Sequence, residues 1–240
     1  MFKIPSLEEM LKAGMHFGHK NSRRHPKMDP FIFTTKNTIN IIDLEKTQKK
    51  LEEALNFIKE TASNGGVILF VGTKAQALPI MEKYAKECEM PYINEHWIGG
   101  IITNFSVLGK LIKKYNDLRE KREKGELQKY TKWEQLMFDK EIADMARKVD
   151  GISILRKNPD VLFIVDIKNE RTAVDEAVKK NIPIVAICDT NINPKPVSYV
   201  IPANDDAVGS IEIITGLVAE AIKEGKANPA TVNVKEEDKK

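Results

Sequence analysis

The chain of 240 residues contains only two cysteines, Cys88 and Cys188, which lie in apolar or helical stretches and lack CxxC spacing. This arrangement favours buried free thiols in a reducing compartment over a disulfide. The sequence also lacks a secretory signal and any apolar run of about 18 residues, which argues against secretion and against a membrane-spanning helix. We therefore expect a cytoplasmic protein without a membrane partner.

A strong net charge is missing as well. The formal charge of +3 is far too small for a histone-like protein that wraps nucleic acid. Positive charge is instead concentrated in residues 14–36, which we call the arm. Its charged residues and histidines are Lys20, Arg23, Arg24, Lys27 and Lys36, the single acid Asp29, and His16, His19 and His25. A local cationic segment on a nearly neutral chain indicates one defined anionic partner.

The composition of the arm is typical of RNA contacts. Lysine and arginine can contact phosphates, while histidine and phenylalanine can stack on bases or riboses. Pro26 and Pro30 restrict the backbone, which lowers the entropy lost on binding. The alternative is a charged, solvated surface loop.

Enzyme signatures are absent too. The sequence has no GxGxxG, no GxxxxGK[ST] and no GxSxG motif, and no histidine is adjacent in sequence to either cysteine. A single glycine turn at residues 71–77 (VGTKAQA) could bring backbone N–H groups to a phosphate, but one glycine there is common as plain architecture. An enzyme would have to use residues at the carboxyl ends of the strands, and strand-end aspartates more often cap helices and turns.

A metal site is the other chemical hypothesis. His16 and His19 are close in sequence, and Asp189, Asp205 and Asp206 follow predicted strands. A histidine with two carboxylates would suit zinc or magnesium, and the candidate ligands are His19, Asp189 and Asp205. The spacing matches no ligand signature, so solvated histidines and capping aspartates are the alternative.

The pattern of the chain predicts an α/β domain. Apolar runs at 67–71, 92–93, 161–165, 184–187 and 199–201 alternate with helical stretches at 75–87, 170–180 and 206–223. Continuous apolar strands alternating with helices indicate a doubly wound parallel sheet that is covered on both faces. Before it, the sequence predicts a short helix with a capping box at Ser6 and Glu9, a hairpin at 31–43, and a helix that begins at Asp43 and runs through Ala62.

Residues 105–150 depart from this alternation. Two seams of apolar residues have coiled-coil spacing: Leu108, Leu111, Tyr115 and Leu118, then Phe138, Ile142, Met145 and Val149. We expect an antiparallel coiled-coil hairpin that protrudes from the domain, and two ordinary helices lying on the sheet are the alternative. The chain then divides into one discontinuous α/β domain (1–104 and 151–225), the hairpin (105–150) and a disordered tail (226–240).

The segment HWIGGIITNF places Trp97 and Ile98 beside two glycines just before the hairpin. Paired glycines permit a close approach of another backbone and left-handed conformations. The segment could contact RNA or protein, or it could be a tight corner in which Trp97 anchors the hairpin. We favour the corner, and both interpretations can hold together.

Eight ordered blocks carry a resemblance to a known family: AGMHFGH (13–19), PKMDPFIF (26–33), NIIDLEKT (40–47), VGTKAQA (71–77), WIGGIITNF (97–105), DVLFIVD (160–166), NIPIVAICDTN (181–191) and IPANDDAVGSI (201–211). Together they closely resemble the bacterial small-subunit ribosomal protein family numbered two, from about Met1 to Gly225. The resemblance implies a flavodoxin-like three-layer domain with a protruding coiled coil, a structural role without catalysis, and no small-molecule substrate or homo-oligomer.

The resemblance also implies partners and contact residues. The partners are 16S ribosomal RNA and other small-subunit proteins, including the large ribosomal protein number one, which the family helps to dock. The candidate RNA contacts are His16, His19, Lys20, Arg23, Arg24, His25, Lys27, Lys36, Lys74 and Asn104. The candidate protein contacts are Trp97, Ile98, Lys110, Lys114, Arg119 and Arg122. His25 and His96 stand where many relatives have tryptophan and arginine, which puts a stacking and a guanidinium contact in doubt.

Overall fold

A five-stranded parallel sheet forms the centre of the computed structural model, which describes residues 2–229. Its strands are β4 (Ile68–Val71), β5 (Tyr92–Ile93), β6 (Val161–Val165), β7 (Ile184–Cys188) and β8 (Tyr199–Pro202). Their order across the sheet is β5-β4-β6-β7-β8, and every pair is parallel. All residues of β4, β6 and β7 are buried, as continuous apolar runs require in a sheet covered on both faces. The predicted parallel α/β sheet is confirmed.

Helices cover both faces of this sheet. In chain order, the helices of the described residues are α1 (Leu7–Lys12), α2 (Leu44–Ser63), α3 (Leu78–Glu87), α4 (Phe105–Glu123), α5 (Lys132–Val149), α6 (Arg171–Lys179) and α7 (Val208–Ala227). Phe70 and Phe163 pack with α2, α3 and α7 in one apolar cluster. Leu69 and Leu162, one residue earlier on the same strands, pack with α6 in a second cluster. Because side chains alternate along a strand, these two clusters make a three-layer α/β fold.

A small antiparallel sheet lies at the N-terminal end. Its strands are β1 (Phe17–Lys20), β2 (Ile32–Lys36) and β3 (Ile39–Ile42), in the order β1-β3-β2. The predicted hairpin corresponds to β2 and β3, whereas β1 falls inside the segment that we expected to be a loop. Residues Asn37 and Thr38 of the turn both have a positive φ, which suits the right-handed twist of a two-residue hairpin.

The capping residues predicted from the sequence begin helices α1 and α2 in the structure. Ser6 and Glu9 form both bonds of the capping box at α1, and the Asp43 carboxylate accepts the backbone N–H groups of Glu45 and Lys46 at the start of α2. Helix α3 begins at Leu78, three residues later than predicted. Helix α7 continues to residue 227, so residues 226 and 227 are helical and not part of the predicted tail. The rest of that tail from residue 230 on lies outside the described residues.

Both cysteines are buried free thiols, as the sequence indicated. Burial raises the pKa of Cys88 to about 11 and raises the pKa of Cys188 well above its ordinary value. A thiol with a raised pKa is weakly nucleophilic at neutral pH. The cysteines therefore act as small apolar side chains of the core.

Helices α4 and α5 lie between β5 and β6 in the chain and pack against each other. Their buried residues are Leu108, Ile112 and Tyr115 on α4, and Ile142, Met145 and Val149 on α5. These residues belong to the second apolar cluster of the sheet, so the base of the helix pair shares the core of the α/β domain. Leu111 and Leu118 of the predicted seam are only partly buried, and Ile112 replaces Leu111 as a buried contact. The coiled-coil geometry and the domain boundaries stay predictions.

Gly225 marks the closest approach of α7 to α2. A Cβ atom at this position would lie 2.4 Å from the backbone oxygen of Lys59 and 2.7 Å from Cβ of Ala62. We expect Gly225→Ala to force the two helices apart and to lower the free energy of unfolding by about 1–3 kcal/mol in urea denaturation.

Gly109 on α4 provides the matched control, because a Cβ there would meet no atom within 4 Å. Gly109→Ala should raise the free energy of unfolding by about 0.5–1 kcal/mol, since alanine loses less backbone entropy in a helix. Equal effects of the two substitutions would contradict close packing at Gly225.

Candidate functional site

The carboxyl ends of the central strands meet in a cluster of charged side chains, which we call the carboxyl rim (Lys74, Asp166, Asp189, Asp205 and Asp206). The Lys74 Nζ atom lies 2.9 Å from Asp166 Oδ2, 2.8 Å from Asp205 Oδ1 and 2.8 Å from Asp206 Oδ1. Its side chain is largely buried. Lys74 therefore balances the negative charge of the rim with an ammonium group that is already paired inside the protein, and its role as an RNA contact stays a prediction.

Burial has strong electrostatic effects on the rim. It raises the pKa of Asp205 to about 7, and repulsion from Asp166 adds to the shift, while Lys74 opposes it. Burial alone would lower the pKa of Lys74, but hydrogen bonds to Asp205 and Asp206 raise it above the ordinary range. The ammonium group therefore stays charged, and the Asp205 carboxyl exchanges its proton near neutral pH.

His19 of β1 joins the arm to this rim. Its Nδ1 atom lies 2.8 Å from Asp189 Oδ2, and its Nε2 atom lies 3.6 Å from Asp206 Oδ2. The hydrogen bond to Asp189 raises the pKa of His19, against the effect of burial. In the same strand, the backbone N–H of His19 donates to Thr190 Oγ1. The arm is thus held by side-chain and backbone contacts to the end of β7.

The candidate metal ligands are only partly those predicted. His19, Asp189 and Asp206 each offer one ligand atom, and these atoms lie within 4.8 Å of one another. Asp205 was predicted instead of Asp206, but its buried carboxylate is directed to Lys74. The sequence could not distinguish two adjacent aspartates on one loop, because the packing of that loop decides which carboxylate faces His19.

The glycine turn after β4 does not present a free phosphate site. The backbone N–H and the hydroxyl of Thr73 both donate to Glu170 Oε1. Beyond β6, Asp166 Oδ1 accepts the backbone N–H groups of Lys168 and Asn169, which is the capping role that we held as the alternative. At this turn, the two donors of Thr73 are therefore occupied within the protein.

The arm presents cations to solvent. Lys20, Arg23, Lys27 and Lys36 are exposed, and within residues 2–229 they form no ion pair. Arg24 is partly buried, and its Nε atom lies 2.6 Å from Asp29 Oδ1. Beside His19, a surface depression of about 440 Å³ is lined by Lys20 and Arg23 on one side and by Asp189 and Asp206 on the other. The arm is therefore a cationic surface next to an acidic one.

Two backbone bonds hold the arm in place. The N–H of His25 donates to the carbonyl of Thr190, and the N–H of Asn21 donates to the carbonyl of Thr38. His25 also caps the following turn by accepting the N–H of Lys27 at Nδ1. His16 is partly buried with its ring 3.9 Å from that of Phe17, and burial lowers its pKa. His16 and His25 are thus packed elements of the arm.

A single carboxylate organises the segment before α4. Glu176 on α6 is 5% exposed and accepts hydrogen bonds from Trp97 Nε1, from the backbone N–H groups of Gly100, Ile102 and Thr103, and from the Thr103 hydroxyl. Trp97 is buried and bonded to Glu176, so the segment forms the anchored corner that the sequence favoured, while a role of Trp97 in protein contact stays a prediction. Ile98 packs against the second apolar cluster, and Asn104 is exposed at the start of α4.

Sequence reasoning missed Glu176. The only signal for it is an acid on the apolar stripe of α6, beside the buried residues Ala173, Val174 and Ala177. Burial would raise the pKa of Glu176, but the hydrogen bonds from Gly100 and Thr103 lower it overall. A buried carboxylate needs such donors, because an unpaired charge in the core is strongly destabilising.

Comparison with known families decides the identity. The sequence model described as Ribosomal protein S2 matches residues 10–225. The chain belongs to the ribosomal protein S2 family. This confirms the resemblance seen in the eight sequence blocks, and the family is structural and non-enzymatic, with a role in the small ribosomal subunit and in translation. In the described part of the chain, no helix is both long and apolar enough to cross a bilayer.

In this S2-family chain, most of the cations predicted for protein contact are engaged within the helix pair. Lys114 pairs with Glu141, and Arg122 Nε lies 3.0 Å from Asp139 Oδ1 across the two helices. Arg119 pairs with Glu123 on its own helix. Lys110 is exposed and forms no ion pair with any described residue. The first three cations stabilise the helix pair, at most by a fraction of a kcal/mol each since they are exposed.

We expect Glu176→Gln to lower the free energy of unfolding by roughly 2–4 kcal/mol, because an amide nitrogen would face donors in place of one carboxylate oxygen. The folded-state pKa of Glu176 lies below its ordinary value of 4.5. Its contribution is therefore complete above that pH and is lost as the pH falls through the folded-state pKa. Urea denaturation between neutral and acidic pH should show a shallower acid loss for the variant.

Asp175→Asn is the matched control, since Asp175 is the neighbouring residue on α6 and its weak ion pair with Arg171 is solvent-exposed. It should change the stability by less than about 0.5 kcal/mol. A similar small effect for Glu176→Gln would show that the five hydrogen bonds contribute little.

Proposed function

We propose that the chain is an architectural protein of the small ribosomal subunit that binds 16S ribosomal RNA through its arm. The observation that carries the proposal is a set of four exposed cations, Lys20, Arg23, Lys27 and Lys36, which form no ion pair with any residue of the described range 2–229. They lie on a segment that is fixed to the α/β domain. Phosphates are the natural partners of such cations, and contacts to phosphates supply most of the sequence-independent affinity for RNA. Membership of the S2 family supports the same assignment.

The close packing of the arm against the α/β domain supports tight binding of RNA. A Cβ atom at Gly18 would lie 2.6 Å from Thr190 Cγ2, so β1 approaches the end of β7 as closely as only glycine permits. With His19 and His25 bound to the same region, the backbone of the arm is ordered before RNA arrives. An ordered arm loses less conformational entropy on binding than a flexible one.

Protein partners complete the proposal. We infer contacts with other small-subunit proteins, including docking of the large ribosomal protein number one, through the exposed surface of the hairpin and the region of the carboxyl rim. Asn104, at the exposed start of α4, is a further candidate for RNA contact. The protein would act in the cytoplasm as a ribosome-associated monomer. The occupied donors at Thr73 and the paired carboxylates of the rim argue against the alternative of a nucleotide-binding enzyme.

Arg23→Ala combined with Lys27→Ala should weaken binding to 16S ribosomal RNA fragments and lower its salt dependence. Each lost phosphate contact should reduce the slope of log K against log salt by about one, so the double variant should lose about two. Filter binding over a range of salt concentrations measures this slope.

Lys49→Ala combined with Lys179→Ala removes the same charge from exposed positions on α2 and α6 and should leave the slope unchanged. Arg24→Ala should have a smaller effect than Arg23→Ala, because Arg24 is already paired with Asp29. If the arm variant keeps the wild-type slope, the arm does not hold the RNA.

We also propose that His19, Asp189 and Asp206 bind one zinc ion. The donor set of one imidazole nitrogen and two carboxylates suits zinc better than magnesium, which prefers oxygen ligands. Among the described residues, Lys74 contacts three aspartates of the rim and Asp189 pairs with His19, so a divalent ion would balance the remaining negative charge. Bound there, the ion would fasten the arm to the end of β7.

Zinc chloride should raise the melting temperature of the purified chain in a saturable way, and His19→Ala should abolish the shift. A ligand at 100 times its Kd stabilises the folded state by about 2.7 kcal/mol. His96→Ala, at an exposed histidine outside the rim, should keep the full response. An equal response of the His19 variant, or a response to magnesium chloride alone, would contradict the zinc site.

A further inference from the structure

Helix α5 carries a second stripe of side chains that its partner α4 does not cover. Trp133, Leu136 and Met137 are 69%, 65% and 46% exposed. The stripe continues with Lys140, Asp144, Arg147 and Lys148, which are all exposed. With 3.6 residues per turn these positions share one face of the helix, opposite Ile142, Met145 and Val149, which are buried. We call this stripe the outer face of α5.

The outer face is not needed to build the hairpin. The ion pairs between α4 and α5 use Glu141 and Asp139 on the side of α5 that faces its partner. Trp133 is exposed although a tryptophan buries more apolar area than any other side chain. Three large apolar residues left together in solvent on a soluble helix are typical of a protein contact surface.

The exposed charges of the outer face are mostly basic. Lys140, Arg147 and Lys148 form no ion pair within residues 2–229, and Asp144 is the acid that lies beside them. The apolar residues occupy the end of α5 near the tip of the hairpin, and these cations occupy the end near the domain. A surface depression of about 410 Å³ runs along both parts, and its lining includes the acids Glu134, Glu141 and Asp144 as well as Trp133, Met137, Lys140 and Lys148. Glu141 is already paired with Lys114, and Glu134 caps the start of α5.

We propose that the outer face of α5 docks one acidic amphipathic helix of another protein. Its apolar residues would cover Trp133, Leu136 and Met137, and its carboxylates would meet Lys140, Arg147 and Lys148. The stripe from 133 to 148 is about 22 Å long at 1.5 Å per residue, which matches about four turns of a partner helix. RNA would satisfy the cations and could stack on Trp133, but it would leave Leu136 and Met137 without apolar partners.

The inference rests on the protein contact proposed for the hairpin, but this surface is separate from the arm, so a failure here would leave the proposed RNA binding untouched. The test uses the full chain and a fluorescently labelled helical peptide of three heptads (about 21 residues) with leucine on one face and glutamate elsewhere. Fluorescence anisotropy should show saturable binding. Acrylamide should quench Trp133 less in the complex, while the buried Trp97 contributes little to quenching in either state.

Two variants and a control define the surface. Trp133→Ala, and separately Lys140→Glu with Lys148→Glu, should each weaken peptide binding at least about tenfold, because the loss of an anchoring tryptophan and the reversal of two charges are both costly at interfaces. Lys113→Glu with Lys121→Glu makes the same charge change on exposed positions of α4 and should alter the affinity less than about twofold.

Other outcomes would overturn the proposal. These are no saturable binding of the acidic peptide, equal binding of a peptide with lysine in place of glutamate, or binding that the α4 control weakens as much as the α5 variants. A polyuridylate oligonucleotide that protects Trp133 better than the peptide would show that the face binds RNA instead.

Discussion

The structure depends on the pairing of buried charges at the carboxyl rim. Lys74 alone approaches three carboxylates, and His19 binds a fourth, Asp189. Removing such charged groups from water is costly unless each finds a partner. If one of them moved away, the others would be left buried without a partner. Because they come from β1, from the ends of β4, β6 and β7, and from the loop before α7, their mutual attraction sets the relative position of five chain segments. The position of the arm follows from this charge pairing, because His19 of the arm is one of the paired groups.

The polar groups of the chain fall into two classes with different uses. Lys74 of the rim and Glu176 belong to the first class, because their polar atoms are bound by other groups of the same molecule. The exposed cations of the arm and of α5 have no internal partner among the described residues. In a protein that acts by adhesion, the groups left unpaired mark the surfaces that meet other molecules.

Sequence patterns predicted the parts of the fold that local chemistry decides. Sequence patterns predicted strands β4, β6 and β7, because a strand that is buried on both faces needs a continuous apolar run. They also predicted the helix caps at Ser6 and Asp43, because capping needs particular residue types at neighbouring positions. Strand β1 was missed, since its four residues lack an apolar alternation and pair only through β3. The parts of the fold that sequence patterns did not predict depend on contacts between residues far apart in the chain. The corner at Trp97 was expected, but neither its partner Glu176 nor the internal pairing of Lys74 has a signal near those residues in the sequence.

The partners of the arm lie at the far end of the chain. His19 and Asp189 are 170 positions apart, and the hydroxyl of Thr47 donates to the carbonyl of Pro202 across 155 positions. Contacts at such separations close late, after the segments between them have been synthesised and have folded. During translation, a nascent chain that has not yet emerged past residue 206 can already pair β1 with β3, but it lacks the residues at 189, 190 and 206 that hold β1 against the central sheet. The arm can therefore take its final position only after nearly the whole domain has been synthesised.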